Sequence, residues 1–185
     1  VGFFKKFSAC LKIHTHTHAL SMKIIDCFLF YNELQMLQFK LKELSGVVDP
    51  FVLVESRFTF TGNTKPLFYD ENAELFAEYA EKIVHIVHDR NAAADTGNAW
   101  LNETEQRFYG TLGVAQLNLH DDDIVILSDL DEIADKNTLL QIKQDGLADP
   151  ISCLEQDMYY YNRTCKLREK WYRSKLVRFD AFRTY

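Results

Sequence analysis

Two aspartates, Asp129 and Asp131, are separated by one residue and follow the continuously apolar run Ile124-Val125-Ile126-Leu127. Such a run predicts a strand buried on both faces, with the two carboxylates at its carboxyl end. Hard divalent cations such as Mg²⁺ or Mn²⁺ prefer oxygen ligands and often take only one or two protein carboxylates, leaving the other positions to phosphate oxygens and water. We therefore predict that this pair binds a divalent cation together with a diphosphate.

The same acidic pattern also has a purely structural explanation. Aspartate is common at strand ends and at helix N-caps, where its side chain accepts backbone hydrogen bonds. Asp135, a few residues further on, is predicted to be such a cap. The pair alone does not distinguish cation binding from capping, so its position in the fold must decide.

The elements that would position the pair alternate along the chain. Strands are predicted at 24–31, 51–54, 83–87, 124–127 and 151–161. Helices are predicted from Leu34 to near Gly46 and over about 71–81, 102–119 and 137–144. This alternation predicts an α/β fold with a mainly parallel sheet flanked by helices, where ligands bind beyond the carboxyl ends of the strands.

Composition excludes several classes of function. The chain has 185 residues, is 47% hydrophobic and carries a formal net charge of -6, which fits one globular domain and gives no reason to expect nucleic acid as a partner. No apolar run reaches the roughly 18 residues of a membrane span. We predict an extension over 1–21, disordered or non-native, and a single domain over 22–185.

Several segments, taken in their order along the chain, resemble glycosyltransferase family 17. They are 23–34, 51–56 with 59–62, 65–67, 100–103 with 106–107, 122–124 through 128–133, and 159–162. The resemblance implies a GT-A fold, a UDP-sugar donor carrying N-acetylglucosamine, a glycan acceptor and inversion at the anomeric carbon. It also implies that the domain is C-terminally truncated at Tyr185.

The resemblance places Asp129 and Asp131, as a DxD motif, at the cation (Mn²⁺ or Mg²⁺) and the donor diphosphate. It places Asn32, Glu33 and Glu55 near the nucleoside, where carboxylates can accept hydrogen bonds from ribose or uracil. For Glu33 an alternative is favourable interaction with the dipole of the helix that follows.

Glu103, Gln106 and Arg107 have helical spacing, so they share one helix face, and Arg107 offers a planar fork suited to a phosphate. The alternative is a salt bridge within the helix between Glu103 and Arg107. Trp100 is predicted either to stack on a base or sugar or to pack in the core. The run 159–161 of three tyrosines is predicted to line an acceptor groove or to pack at a sheet edge.

An inverting transferase needs a general base that deprotonates the acceptor hydroxyl. Glu132 and Asp157 are the two candidates, and the sequence does not choose between them. Two other functions stay open: a phosphohydrolase of the haloacid dehalogenase type, which also has an acidic pair after a strand, and a fragment that binds a sugar nucleotide without turnover. The lack of an anchor favours a cytoplasmic bacterial or viral protein over one in the Golgi lumen.

Overall fold

A computed structural model describes residues 22–94, 96–162 and 164–184. The predicted extension over 1–21 lies outside the described residues. The strands are β1 (Ile24–Phe30), β2 (Phe51–Ser56), β3 (Ile83–His88), β4 (Ile124–Asp129), β5 (Ile151–Cys153), β6 (Gln156–Tyr159), β7 (Lys166–Trp171) and β8 (Lys175–Arg178). The α-helices are α1 (Leu34–Leu44), α2 (Phe68–Glu71), α3 (Ala99–Ala115), α4 (Lys136–Asp145) and α5 (Phe179–Phe182), and Ala73–Lys82 forms a 3₁₀ helix.

The central sheet has six strands in the order β3-β2-β1-β4-β8-β5. Strands β1, β2, β3 and β4 run parallel to one another, whereas β8 runs antiparallel to both β4 and β5. The chain leaves β1 toward β2 and β3 on one side and returns to β4 on the other. Ligands bind at such a switch point, beyond the carboxyl ends of β1 and β4.

Helices cover both faces of the sheet because successive strand residues point to opposite sides. On one face, Ile24 and Phe28 of β1 pack in a core cluster with Leu41 of α1 and Leu139 of α4. On the other face, β1 packs in a second cluster that includes Val114 of α3. The predicted α/β fold with a mainly parallel sheet flanked by helices is confirmed.

Helix α3 lies unusually close to the sheet, and two glycines permit this. A Cβ atom built at Gly113 would lie 2.7 Å from Cγ1 of Ile86 and 2.9 Å from Cγ1 of Val52. A Cβ atom at Gly110 would lie 2.7 Å from Sγ of Cys27. The small residues therefore set the distance between the sheet and the helix that carries Arg107.

Two predicted elements differ from the structure, and two strands were not predicted. The predicted strand at 151–161 is interrupted, so that β5 joins the main sheet while β6 pairs with β7 in a separate antiparallel hairpin. The predicted helix at 71–81 is a short α-helix followed by a 3₁₀ helix. Strands β7 and β8 were not predicted.

No described helix combines the length and the apolar character that a membrane span requires.

Candidate active site

A pocket of about 1070 Å³ opens at the carboxyl ends of β1, β2 and β4. Its walls come from the segments that follow these strands and from one face of α3. The structure brings seven of the predicted site residues together here: Asn32, Glu33, Glu103, Gln106, Arg107, Asp129 and Asp131. Glu55, Glu132 and Asp157 are not among the residues that line it.

Residues 129–132, which we call the acidic turn, leave β4 in a tight reciprocal arrangement. The backbone N–H of Glu132 donates to the carbonyl oxygen of Asp129 at 3.1 Å. The backbone N–H of Asp129 donates to Oε2 of Glu132 at 3.0 Å. The side chain of Asp129 is about half exposed, and Asp131 is exposed. Glu132 thus closes the turn, while the other three members, including both aspartates, line the pocket.

Arg107 connects α3 to the acidic turn. Its Nη2 atom lies 2.9 Å from Oδ1 of Asp129 and 2.9 Å from Oε1 of Glu103. Partial burial alone would lower the pKa of Arg107, but the neighbouring carboxylates of Asp129 and Glu103 outweigh it, so the pKa is raised. The predicted salt bridge between Glu103 and Arg107 therefore forms. The guanidinium of Arg107 stays positively charged and lies at the pocket wall.

The donor set of the acidic turn fits a hard divalent cation. Asp129 and Asp131 supply carboxylate oxygens at an accessible sheet edge, and two such ligands are sufficient when phosphate oxygens and water complete the shell. Within the described ranges, no cluster of three or more His, Cys, Asp or Glu side chains could hold a metal by protein ligands alone. The chemistry thus suits a cation that is shared with an anionic ligand.

Asn32 and Glu33 follow β1 and form the adjacent wall of the pocket. Glu33 is the N-cap residue of α1, but its side chain makes no capping bond to that helix. Its Oε2 atom instead accepts from the backbone N–H of Asn32 at 3.0 Å. The carboxylate therefore fixes the end of the β1 segment that faces the pocket.

Glu55 differs from the expectation that it faces a nucleoside. Its side chain is fully buried, and Oε1 lies 3.2 Å from the backbone nitrogen of Tyr69 and 3.7 Å from Nζ of Lys65. Its Oε2 atom lies 3.1 Å from Nε2 of His85. Glu55 contributes by holding the segment after β2, because its carboxylate is engaged by interior partners.

Lys65 lines the pocket, although sequence reasoning did not select it as a site residue. Burial lowers the pKa of its ammonium, and the nearby Glu55 carboxylate only partly opposes that effect. Nζ lies 5.1 Å from the ring centroid of Tyr31 and 5.3 Å from that of Phe68. Its place within segment 65–67, which carries part of the family resemblance, was the available signal.

Glu132, one predicted general base, has both carboxylate oxygens engaged. Oε1 accepts a hydrogen bond from Nε1 of Trp171, and Oε2 accepts from Oγ of Ser174 at 2.8 Å as well as from the Asp129 amide. These partners join the acidic turn to the segment around β7 and β8. The placement argues against the predicted role of Glu132 as a base and gives it a structural one.

Asp157, the other predicted base, lies on β6 and forms ion pairs with Lys166 at 2.6 Å and Lys170 at 2.8 Å. The hydrogen bond from Lys166, followed by that from Lys170, lowers the pKa of Asp157. A carboxylate with a lowered pKa is a weaker proton acceptor. Asp157 lies on the β6–β7 hairpin and does not line the pocket, and its two ion pairs argue against the predicted role as a base.

The aromatic side chains considered as platforms lie outside the pocket. Trp100 is 72% exposed, which excludes the core-packing alternative, and it does not line the pocket. Tyr159, Tyr160 and Tyr161 are exposed at the end of the β6–β7 hairpin. In contrast, Tyr31 and Phe60 are partly exposed and do line the pocket.

A second polar cluster resembles a hydrolase triad but is not accessible. Oγ of Ser56 lies 3.0 Å from Nδ1 of His88, and Nε2 of His88 lies 3.2 Å from Oε2 of Glu105. Ser56 is 1% exposed, and its hydroxyl accepts a hydrogen bond from the backbone N–H of Phe58. Because a buried, engaged hydroxyl cannot meet a substrate, this cluster stabilises the end of β2.

Comparison with known proteins identifies the family. The model of Glycosyltransferase family 17 matches residues 5–185. Among similar proteins are the beta-1,4-mannosyl-glycoprotein 4-beta-N-acetylglucosaminyltransferases of Rattus norvegicus and Homo sapiens, each 30% identical over 135 residues. These matches cover 70% of this chain and 25% of each relative. The chain thus spans about a quarter of the length of the curated relatives it matches.

The relatives correct the predicted location. They come from mammals, a third being that of Mus musculus, and their name describes an enzyme that acts on glycoproteins. The prediction of a cytoplasmic bacterial or viral protein is therefore wrong. The prediction depended on the lack of a membrane anchor in the sequence. That lack carries no information about the compartment.

Proposed function

Because the chain belongs to glycosyltransferase family 17, we propose that it forms the donor-binding part of an inverting N-acetylglucosaminyltransferase of the GT-A type. The donor is UDP-N-acetylglucosamine, and the acceptor is a hydroxyl of a glycoprotein glycan. The observation that carries this proposal is the convergence of the acidic turn, Arg107 and the Asn32-Glu33 segment on one pocket at the switch point of the sheet.

Asp129 and Asp131 would hold Mn²⁺ or Mg²⁺ against the donor diphosphate. The cation would supply charge neutralisation to the leaving diphosphate as the bond to the sugar breaks. Arg107 supports the same task, because its guanidinium is already within 2.9 Å of Asp129 and lines the pocket. A planar guanidinium binds phosphate oxygens in a fixed orientation.

The nucleoside would lie against the segment after β1. Asn32 can both donate and accept hydrogen bonds, and Glu33 accepts them, which suits ribose hydroxyls and the uracil edge. The exposed faces of Tyr31 and Phe60 offer apolar surface in the same pocket. Planar bases bind such surfaces by stacking.

Two alternatives are less well supported. In phosphohydrolases of the haloacid dehalogenase type the acidic pair usually follows the first strand, whereas here it follows β4, and the family match covers nearly the whole chain. Binding of a sugar nucleotide without turnover is consistent with the same pocket. A transfer assay distinguishes it from the proposal.

The test is calorimetric titration of the protein with UDP-N-acetylglucosamine in the presence of Mn²⁺ and again with EDTA. We expect binding that depends on Mn²⁺ and that weakens about tenfold or more when Asp131 is changed to asparagine. Asp149→Asn is the matched control, since Asp149 is exposed and does not line the pocket.

Binding that is equal with Mn²⁺ and with EDTA would refute the proposed cation site. A transfer assay with the same donor over a panel of glycan acceptors then tests turnover. Mn²⁺-dependent binding without transfer to any acceptor would favour the alternative of sugar-nucleotide binding alone.

A further inference from the structure

A buried lysine contacts the acidic turn from the protein interior. The side chain of Lys40, on α1, is 0% exposed. Its Nζ atom donates to the backbone carbonyl oxygens of Asp129 at 3.1 Å and of Glu132 at 3.5 Å. These are the first and last residues of the acidic turn, so one side chain binds the backbone at both of its ends.

The ammonium of Lys40 is itself held in place by charged and polar neighbours. Nζ lies 3.2 Å from Oδ2 of Asp26 on β1, whose side chain is 2% exposed. Nζ also donates to Oγ of Ser128 at 2.9 Å, and that hydroxyl donates to Oδ1 of Asp26 at 2.9 Å. The ring of Phe28 lies beneath the ammonium, 4.4 Å from its centroid.

Stability alone does not account for this buried pair. Replacing a buried ion pair by apolar residues of similar size is often neutral or stabilising, because desolvation of the two charges offsets their attraction. In some proteins such a pair instead fixes a specific geometry. Here the geometry that is fixed is the backbone of the turn that carries Asp129 and Asp131.

The pairing with Asp26 also matters for the electrostatics of the pocket. An unpaired ammonium in contact with the acidic turn would repel a divalent cation bound to it. Asp26 neutralises that charge within 3.2 Å. Lys40 therefore delivers two hydrogen bonds to the turn without adding net positive charge near the proposed cation.

We propose that Lys40 is a positioning residue for cation and diphosphate binding, acting by fixing the backbone of the acidic turn so that Asp129 and Asp131 reach the same cation. Asp26 and Ser128 orient the ammonium for this task. The inference rests on the proposed function, because it assigns Lys40 to the same cation site.

The experiment uses the double variant Asp26→Asn, Lys40→Met, which removes both charges together and leaves no unpaired ion in the core. The matched control is Lys82→Met. Lys82 also binds backbone carbonyl oxygens, those of Ser45 and Val48, but does not contact the acidic turn. Thermal unfolding establishes that each variant folds.

Two quantities are then measured on the full chain. Hydrogen exchange reports the protection of the backbone amides of Asp129 and Glu132, and calorimetry gives the affinity for Mn²⁺ in the presence of UDP. In the double variant we expect faster exchange at these amides and a Mn²⁺ affinity lower by about tenfold to a hundredfold, the range typical of residues that orient metal ligands. The Lys82 variant should change neither.

Three outcomes would overturn the inference: unchanged exchange at the acidic turn, faster exchange with unchanged Mn²⁺ affinity, or equal losses in the control. Failure of the proposed function is recognised separately, since the unmodified chain would then bind UDP equally with Mn²⁺ and with EDTA. In that case the proposed role of Lys40 in cation binding is refuted too, whatever result the double variant gives.

Discussion

The close approach of α3 to the sheet makes Gly113→Ala an informative substitution. In an ordinary exposed helix position, replacing glycine by alanine stabilises the helix by about 1 kcal/mol. At Gly113 the added Cβ would lie 2.7 Å from Cγ1 of Ile86 and 2.9 Å from Cγ1 of Val52. Both neighbours are β-branched and stiff at χ1, so they cannot rotate away cheaply.

The overpacking term decides the sign. Forcing extra atoms into a packed core costs about 1–3 kcal/mol. Subtracting the gain of about 1 kcal/mol in helix propensity leaves a net loss of about 0–2 kcal/mol in the free energy of unfolding. Relief of the 2.7 Å contact to an ordinary distance of about 3.5 Å would require α3 to move by about 0.8 Å. Arg107 would move with the helix, away from Asp129.

Urea denaturation measures the loss of stability. Calorimetry with UDP-N-acetylglucosamine and Mn²⁺ measures how the movement of Arg107 changes donor binding. Thr104→Ala is the matched control, because Thr104 lies in α3 and is exposed. It should raise stability by about 0.5 kcal/mol and leave binding unchanged. If Gly113→Ala stabilises the protein as the control does, the close packing of α3 described above is refuted.

Other substitutions and reagents test separate features. Burial raises the pKa of the Cys27 thiol to about 12. Iodoacetamide at pH 8 should therefore label the exposed Cys153 and spare Cys27 in the folded protein, which mass spectrometry detects. Labelling of both cysteines would contradict the burial of Cys27. Hydrogen bonds from the backbone and hydroxyl of residue 138 lower the pKa of Asp135, the N-cap of α4. Asp135→Ala should therefore lower the melting temperature at pH 7. The difference in melting temperature from the unmodified protein should shrink as the pH falls below about 4, where the carboxylate becomes protonated. A difference that does not depend on pH would argue against a charged cap. Trp171→Phe removes the donor to the Glu132 carboxylate and should cost roughly 1.5 kcal/mol in urea denaturation, whereas an unchanged midpoint would show that the bond contributes nothing.

The parallel half of the sheet could be predicted from sequence because its strands are continuously apolar. The run that forms β4 is buried, and the acidic pair then follows at the strand end whatever the packing of the helices. Helical spacing similarly brought Glu103, Gln106 and Arg107 to one face of α3. Periodicity and strand order are local properties, and they are sufficient for this part of the candidate site.

The environment of the charged residues could not be predicted in the same way. Lys40 lies on the same face of α1 as Leu37 and Leu44, but its ammonium is paired by Asp26 and Ser128, which only the fold brings to it. Glu55 was expected to face the pocket because it ends β2, but its carboxylate is buried against the backbone N–H of Tyr69 and the ring of His85. Short, mostly exposed strands such as β7 carry no apolar alternation that a sequence pattern can detect.

The pairing of β1 with β4 joins segments that are about 100 residues apart in the chain. Contacts between distant segments form slowly, because a long loop must be closed before they are gained. Without β4 in place, the sheet has no acidic turn beside Asn32 and Glu33. The pocket therefore requires the pairing of β1 with β4, and a ligand that binds both walls can stabilise only the completed fold.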